Sequence, residues 1–147
     1  MNIPAITTEQ MREVDRLMID VFGIELIQMM ENAGRNLAAL ARQHFFAGNP
    51  VGKDVLVLVG SGGNGGGGLA AARRLHNWGA HVQVYTTRLP EDIEGVPAHQ
   101  LTILNKISLP VSFAGNYSEL PDSDLILDAI IGYSLQGAPQ GQAANLI

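Results

Sequence analysis

The run GSGGNGGGGLAAARRL, residues 60 to 75, decides the fold class of this chain, and seven of the 17 glycines occupy its first nine positions. It follows DVLVLVG, residues 54 to 60, whose continuous apolar character is typical of a strand buried on both faces of a parallel sheet. An apolar helical pattern then extends from Leu69 to Trp78, and we expect Gly79 to end it. The run therefore predicts a strand, a glycine-rich turn and a helix in direct succession.

The same alternation continues on the C-terminal side of the glycine run. HVQVYTT, residues 81 to 87, predicts a second strand, and the loop that begins at Leu89 leads into a third predicted helix. PVSFA, residues 110 to 114, predicts a short strand, and DLILDAIIG, residues 124 to 132, predicts another buried strand. Strands that alternate with helices in this way indicate a doubly wound α/β fold with a mostly parallel sheet.

Two helices are predicted ahead of the glycine run. Thr7 and Gln10 have the spacing of a capping box, and apolar residues then recur with a helical period until Gly23. A second helical pattern covers residues 24 to about 46. Glu31 falls within this second helix, where we interpret it as a solvated position or a cap-like contact.

Composition narrows the class of protein. The 147 residues are 46% hydrophobic and 16% charged, which favours a single folded domain over residues 1 to 147. The net charge is -5 without a block of Lys and Arg, so we expect no nucleic-acid partner. The absence of cysteine excludes disulfides and thiolate metal sites. Without an apolar secretory segment or a membrane-length run, we expect a cytoplasmic protein. The sequence stops at Ile147, just where a helix is expected to begin, although a closing strand or two would be expected in such a fold.

The glycine run predicts a site for an anionic ligand. Glycines allow a phosphate to approach the backbone, and the N-terminus of the following helix favours negative charge. Gly60, Gly62 and Gly65 match G-x-G-x-x-G, a weak signal among so many glycines. The second strand ends in Thr87-Arg88 without the acidic residue that holds a ribose in NAD-binding folds. Arg88 either faces solvent or meets a 2′-phosphate, and no P-loop motif is present.

A second candidate site lies at the end of the last predicted strand. Asp128 is poorly solvated there unless it is paired, so it is either functional or satisfied by nearby backbone amides. Asn64 faces it if the two strands are neighbours. Amide and carboxylate oxygens suit a hard cation, although two side chains make a thin case for a metal.

Three segments in order resemble one family. They are MMENAGRNLA (29 to 38), VLVLVGSGGNGGGGLAAARRL (55 to 75) and DLILDAIIGYSL (124 to 135), and TTEQMREVDRLMID (7 to 20) resembles the same family's opening helix. The chain resembles the YjeF N-terminal domain, the NAD(P)H-hydrate epimerase family, from about Ile6 to its end. The resemblance implies a Rossmann-like three-layer αβα sandwich behind two N-terminal helices. It also implies epimerisation of hydrated NADH or NADPH, a K⁺ ion, a homodimer and a partner dehydratase.

The resemblance also implies roles for individual residues. Asn64 and Asp128 match positions at the K⁺ site, and Asp128 is the one acid placed to act as acid or base near the substrate hydroxyl. The positions implied in substrate binding are Gly62, Gly63, Asn64, Gly65, Gly66, Gly67, Gly132, Tyr133 and Ser134.

The glycine run departs from the family pattern at two positions. Gly63 stands where the family has an asparagine, and Gly67 stands where it has an aspartate. Two alternatives to the epimerase therefore stay open: a non-catalytic nucleotide-binding or dimerisation module of the same fold, and a fragment of an NADP-binding oxidoreductase.

Overall fold

The structure, a computed structural model, describes residues 5–133 and 135–147. These residues form five α-helices and four β-strands; two helices precede β1, and helices then follow β1, β2 and β4. The helices are α1 (Thr8–Arg16), α2 (Leu26–Phe45), α3 (Gly63–Asn77), α4 (Gly95–Lys106) and α5 (Gly141–Leu146). The strands are β1 (Asp54–Val59), β2 (His81–Thr86), β3 (Val111–Phe113) and β4 (Leu125–Ala129). No helix in the described ranges is long and apolar enough to cross a membrane.

The four strands form one parallel sheet in the order β3-β2-β1-β4. β1 lies between β2 and β4, with Val59 opposite Thr86 on one side and Ala129 on the other. Because the chain returns to the far side of β1 to form β4, a topological switch point lies between these two strands. The predicted doubly wound α/β fold is therefore confirmed.

The main core lies on the face of the sheet that carries α3 and α4, while α2 packs against α3. Alternate β1 residues, Val55, Val57 and Val59, contribute to this core. Leu56 and Leu58 point to the opposite face, where Tyr85, Ile130 and the short helix α5 pack. β1 is thus buried on both faces, as its continuous apolar sequence predicted.

The N-terminal prediction of a capped helix is confirmed. Thr7 accepts a hydrogen bond from the Gln10 backbone N–H, and the Gln10 side chain accepts one from Thr7 N–H at 2.8 Å. A π-helical turn at Leu17–Val21 follows α1, and Gly23 reverses the chain with a φ of 66°. This positive φ explains why a glycine ends the segment.

Two sequence predictions about these elements are wrong. The helix after the glycines begins at Gly63 rather than at Leu69, so most of the glycine run is helical rather than a turn. Glycine disfavours helices, but here close packing of α3 against the sheet and α2 offsets that cost. β4 is not buried on both faces, because nothing in the described chain covers one of them; Ile126 is 54% exposed and Asp128 is also exposed.

Candidate nucleotide site

A cavity of about 810 Å³ lies across the carboxyl ends of β2, β1 and β4. Doubly wound sheets bind their ligands at this edge, next to the switch point. The volume lies within the range of small-molecule and cofactor sites. Thr87 and Arg88 form its wall beyond β2, residues 60 to 64 form it beyond β1, and residues 130 to 133 form it beyond β4.

The N-terminus of α3 forms the centre of the cavity wall. The helix begins at Gly63 immediately beyond β1, and Gly62 is its N-cap. Within the described residues no side chain caps this end. The first backbone N–H groups of a helix have no partner inside the helix, so here they are available to a ligand. An anionic group such as a phosphate is the ligand that such an end favours.

The glycines of the run divide into two groups. Gly62, Gly63 and Gly67 line the cavity, and a Cβ added at Gly63 would come no closer than 3.7 Å, to the Met30 sulfur. Gly65 and Gly66 are buried, as Gly67 is, but they do not line the cavity, and a Cβ on Gly65 would overlap the Gly60 carbonyl oxygen. Contact of Gly65 and Gly66 with substrate stays a prediction, while their surroundings give them a packing role.

Asn64 and Asp128 hold the same two-residue segment after β4. The Asn64 side-chain amide donates to the Ile131 carbonyl oxygen at 2.9 Å, and the Ile130 N–H donates to Asp128 Oδ1 at 2.9 Å. The two side chains are therefore linked through the main chain of Ile130 and Ile131, which leads into the predicted site residue Gly132.

Asp128 itself lies on the exposed outer side of β4 and does not belong to the cavity wall that the described residues form. The expectation that this carboxylate is poorly solvated is wrong, because nothing in the described chain covers that face of β4. Of the two roles that the sequence left open for Asp128, the structure shows the contact with a backbone amide. A role in catalysis stays a prediction.

The donor set for a cation is small. Across residues 5–133 and 135–147 no group of three or more His, Asp or Glu side chains could hold a metal ion. The donation from the Asn64 amide leaves that residue's carbonyl oxygen available, and Asp128 has a second carboxylate oxygen. These oxygens are of the kind that a hard cation prefers, but they are only two ligands.

A tyrosine and an aspartate meet at the rim of the cavity. The Tyr133 hydroxyl donates a hydrogen bond to Asp15 on α1, and both residues line the cavity. This bond to a carboxylate raises the pKa of Tyr133 above its usual value, with partial burial adding to the shift. Asp15 is the one acidic side chain in the described cavity wall, and no sequence pattern connected it to the site. Ser134, a predicted substrate contact, lies outside the described residues.

A polar cluster behind the cavity fixes α2, α3 and α4 relative to one another. Glu31 on α2 forms ion pairs with Arg73 and Arg74 on α3, and it accepts a hydrogen bond from Gln100 on α4 at 3.0 Å. Burial raises the pKa of Glu31, but the bonds from Gln100, Arg73 and Arg74 outweigh that effect and leave the pKa lowered. The interpretation of Glu31 as a solvated or cap-like position is therefore wrong.

The parallel sheet, the switch point and the uncapped glycine-rich helix end define this chain as a doubly wound α/β domain with a candidate ligand site at the carboxyl edge of its sheet. The chain belongs to the family described as YjeF-related protein N-terminus, which matches residues 26–147. The predicted family resemblance is thereby confirmed.

Relatives with assigned names cover nearly the whole of this chain. An NAD(P)H-hydrate epimerase of Dehalogenimonas lykanthroporepellens is 46% identical over 99% of this chain and 58% of its own length. A bifunctional NAD(P)H-hydrate repair enzyme Nnr of Moorella thermoacetica is 35% identical over 97% of this chain, which spans 28% of that protein. An NAD(P)H-hydrate epimerase of Rhodopirellula baltica is 30% identical over 100% of this chain and 59% of its own length. The chain thus spans less than two thirds of each of these relatives.

The fold also has a counterpart among solved structures. The crystal structure of yeast ynu0, YNL200c, aligns with 94% of this chain and 60% of that chain, with a TM-score of 0.78 and 29% sequence identity.

Proposed function

We propose that this chain interconverts the R and S epimers of hydrated NADH or NADPH. The observation that carries the proposal is the 46% identity, over 99% of this chain, to a protein named NAD(P)H-hydrate epimerase. The cavity supports it, because the uncapped start of α3 offers backbone N–H groups to a pyrophosphate and the volume suits part of a dinucleotide.

Epimerisation sets a chemical requirement on the residues near the hydroxyl. The carbon–oxygen bond on the reduced ring opens and closes again, so one proton is given to the departing oxygen and one is taken from the returning water. The sequence predicts Asp128 as the acid or base. Asp15 is the second candidate, because it lies in the cavity wall and already accepts a hydrogen bond from Tyr133.

A potassium ion is part of the proposal. The resemblance implies Asn64 and Asp128 as its ligands; the Asn64 carbonyl oxygen lies at the described cavity wall, whereas Asp128 lies outside that wall, and further ligands would come from water or substrate. A bound cation would supply positive charge that orients a substrate oxygen. Replacing K⁺ with Na⁺ in the assay buffer tests this part by itself.

The proposal extends to partners. We expect a homodimer and cooperation with an NAD(P)H-hydrate dehydratase in the cytoplasm, since a dehydratase consumes one epimer of the hydrate. The name of the bifunctional relative from Moorella thermoacetica supports a link between two repair activities. Size exclusion with light scattering tests the dimer.

The test is a chromatographic assay that starts from one pure epimer of hydrated NADPH in K⁺ buffer. We expect the chain to bring the epimers to equilibrium faster than buffer alone. Asp128→Asn and Asp15→Asn form a matched pair, and the variant that abolishes the acceleration while still binding NADPH identifies the catalytic carboxylate. An unchanged epimer ratio with the parent chain would contradict the proposal.

A specific observation favours a second function, a nucleotide-binding or dimerisation module without turnover. Gly63 and Gly67 bring no polar side chain into the cavity, and Asp128 lies outside its described wall. Binding of NADPH without epimerisation would select this function. Family membership leaves the oxidoreductase alternative without support.

A further inference from the structure

We propose that Arg88 binds the phosphate on the 2′-position of the adenosine ribose, so that this site has a higher affinity for hydrated NADPH than for hydrated NADH. The inference rests on the proposed function for its substrate, and it adds the form of the nucleotide that the site selects. Arg88 lies in the cavity wall directly beyond β2, next to the uncapped start of α3.

The strand order indicates which part of a bound dinucleotide would meet Arg88. The strand order β3-β2-β1-β4 is that of the first four strands of a dinucleotide-binding sheet. In such sheets the pyrophosphate lies at the helix that follows β1, and the residue beyond β2 meets the adenosine ribose. An acid at that place binds the free 2′-hydroxyl, whereas an arginine accommodates a 2′-phosphate.

The backbone at Arg88 is held in place rather than free. Thr86 is fully buried at the end of β2, and its hydroxyl donates to the Arg88 carbonyl oxygen at 2.6 Å. The N–H of Thr87 donates to the Val59 carbonyl oxygen at 2.9 Å, which ties this segment to the end of β1. Neighbouring strands lie about 5 Å apart, so the two bonds hold the Arg88 backbone near the segment that joins β1 to the start of α3.

The charges around the cavity also favour a phosphate at Arg88. Arg88 is the one Lys or Arg in the cavity wall of the described chain, and it forms no salt bridge with any described residue. The acid in that wall, Asp15, lies on α1 and is engaged by Tyr133. A phosphate dianion is a strong partner for a guanidinium group because both can form paired, charge-assisted hydrogen bonds.

The segments along the cavity also follow the order of the parts of a dinucleotide, from the adenosine ribose through the pyrophosphate to the nicotinamide. Arg88 lies beyond β2, the start of α3 lies beyond β1, and Asn64 contacts the segment beyond β4 that carries Tyr133. A nucleotide with its 2′-phosphate at Arg88 and its pyrophosphate at α3 places the nicotinamide end toward Asn64, Tyr133 and Asp15. The proposed chemistry requires its acid or base at that end.

The test compares ligands that differ only in the 2′-phosphate. NADPH and NADH are titrated calorimetrically against the parent chain, Arg88→Gln and Arg35→Gln, where Arg35 is an exposed arginine of α2 outside the cavity wall. We expect the parent chain and Arg35→Gln to bind NADPH about tenfold or more tightly than NADH. In Arg88→Gln we expect the affinity for NADPH to fall to that for NADH, with binding of NADH unchanged.

Other results would overturn the inference. An equal loss for both ligands in Arg88→Gln would place the pyrophosphate rather than the 2′-phosphate at Arg88. Equal affinities in the parent chain would show that the site does not select the phosphate. Absence of epimerisation with both hydrates would refute the proposed function alone, because the binding preference is measured without turnover.

Discussion

Two groups of glycines within nine residues of sequence perform different tasks. The tight glycines, Gly60, Gly65 and Gly68, are those where a Cβ would overlap Ile130, Gly60 or Ala129. The open glycines, Gly62, Gly63 and Gly67, line the cavity and have 3.6 Å or more of free distance around an added Cβ. The tight group lets α3 lie against β1 and β4, and the open group leaves space for a ligand. One run of sequence therefore serves packing and also forms part of the cavity wall.

The largest loss of stability is expected where an added methyl group meets a tight position. Gly65→Ala should lower the free energy of unfolding by about 3 kcal/mol or more, because the new Cβ meets a backbone carbonyl that cannot move without shifting β1. Gly63→Ala is the matched control at an open position, where we expect no loss and up to about 1 kcal/mol of gain. Urea unfolding of both variants measures the difference in their free energies of unfolding. Equal values would contradict the division into tight and open glycines.

A second prediction asks whether glycine contacts alone position α3. Glu31→Gln removes the charge that pairs with Arg73 and Arg74, and should cost about 1–2 kcal/mol because the cluster is only partly exposed. Glu13→Gln is the control, since the Glu13–Arg16 pair is exposed, and its midpoint should stay unchanged.

The lowered pKa of Glu31 gives this prediction a pH dependence. The ion pairs contribute stability at pH values above the unfolded-state pKa, and the contribution is lost as the pH falls through the lower folded-state pKa. The stability difference between the parent chain and Glu31→Gln should therefore shrink below about pH 4. A difference that stays constant from pH 7 to pH 3 would show that the charge of Glu31 is not what stabilises the contact.

The third prediction separates stability from binding at an open glycine. Gly62→Asp supplies the missing N-cap of α3 and should raise stability by about 0.5–1 kcal/mol. The same carboxylate occupies the free N–H groups and repels phosphate, so NADPH affinity should fall about tenfold or more. Thermal unfolding and calorimetry measure the two effects. A variant that gains stability and keeps its affinity would place the phosphate away from this helix end.

The smallest expected effect concerns the rim opposite the open glycines. Tyr133→Phe removes the hydrogen bond to Asp15 and should cost less than about 1 kcal/mol, because Tyr133 is exposed. Amide exchange in α1 should accelerate while exchange in α3 stays unchanged. Unchanged exchange in α1 would show that this bond does not hold the helix over the cavity.

Local sequence was sufficient for most of the fold. The run DVLVLVG predicted a doubly buried strand, and the capping box at Thr7 predicted the start of α1 within one residue. The start of α3 was missed because glycine propensity points away from a helix, whereas the close contacts of its glycines are tertiary, with Gly60 after β1 and with Ala129 on β4. The exposure of β4 was missed for a similar reason, since its apolar residues do not reveal that one of its faces has no packing partner in the described chain.

The site was less predictable than the fold. Six of the predicted substrate-binding residues lie together at the cavity: Gly62, Gly63, Asn64, Gly67, Gly132 and Tyr133. Asp15 and the Glu31 cluster depend on tertiary contacts between elements that no motif connects, so sequence alone did not reveal them. Alternation along β4 directs the Asp128 side chain to the outer face, and that direction depends on the register with β1.

The most direct test of the division between tight and open glycines is a titration of the ¹⁵N-labelled chain with NADPH, followed by amide chemical shifts. We expect the largest shifts at Gly62, Gly63 and Asn64, with a second group at Thr87 and Arg88, and small shifts along the outer face of β4. Shifts confined to the outer face of β4 or absent from the start of α3 would contradict the claim that the open glycines form the nucleotide site.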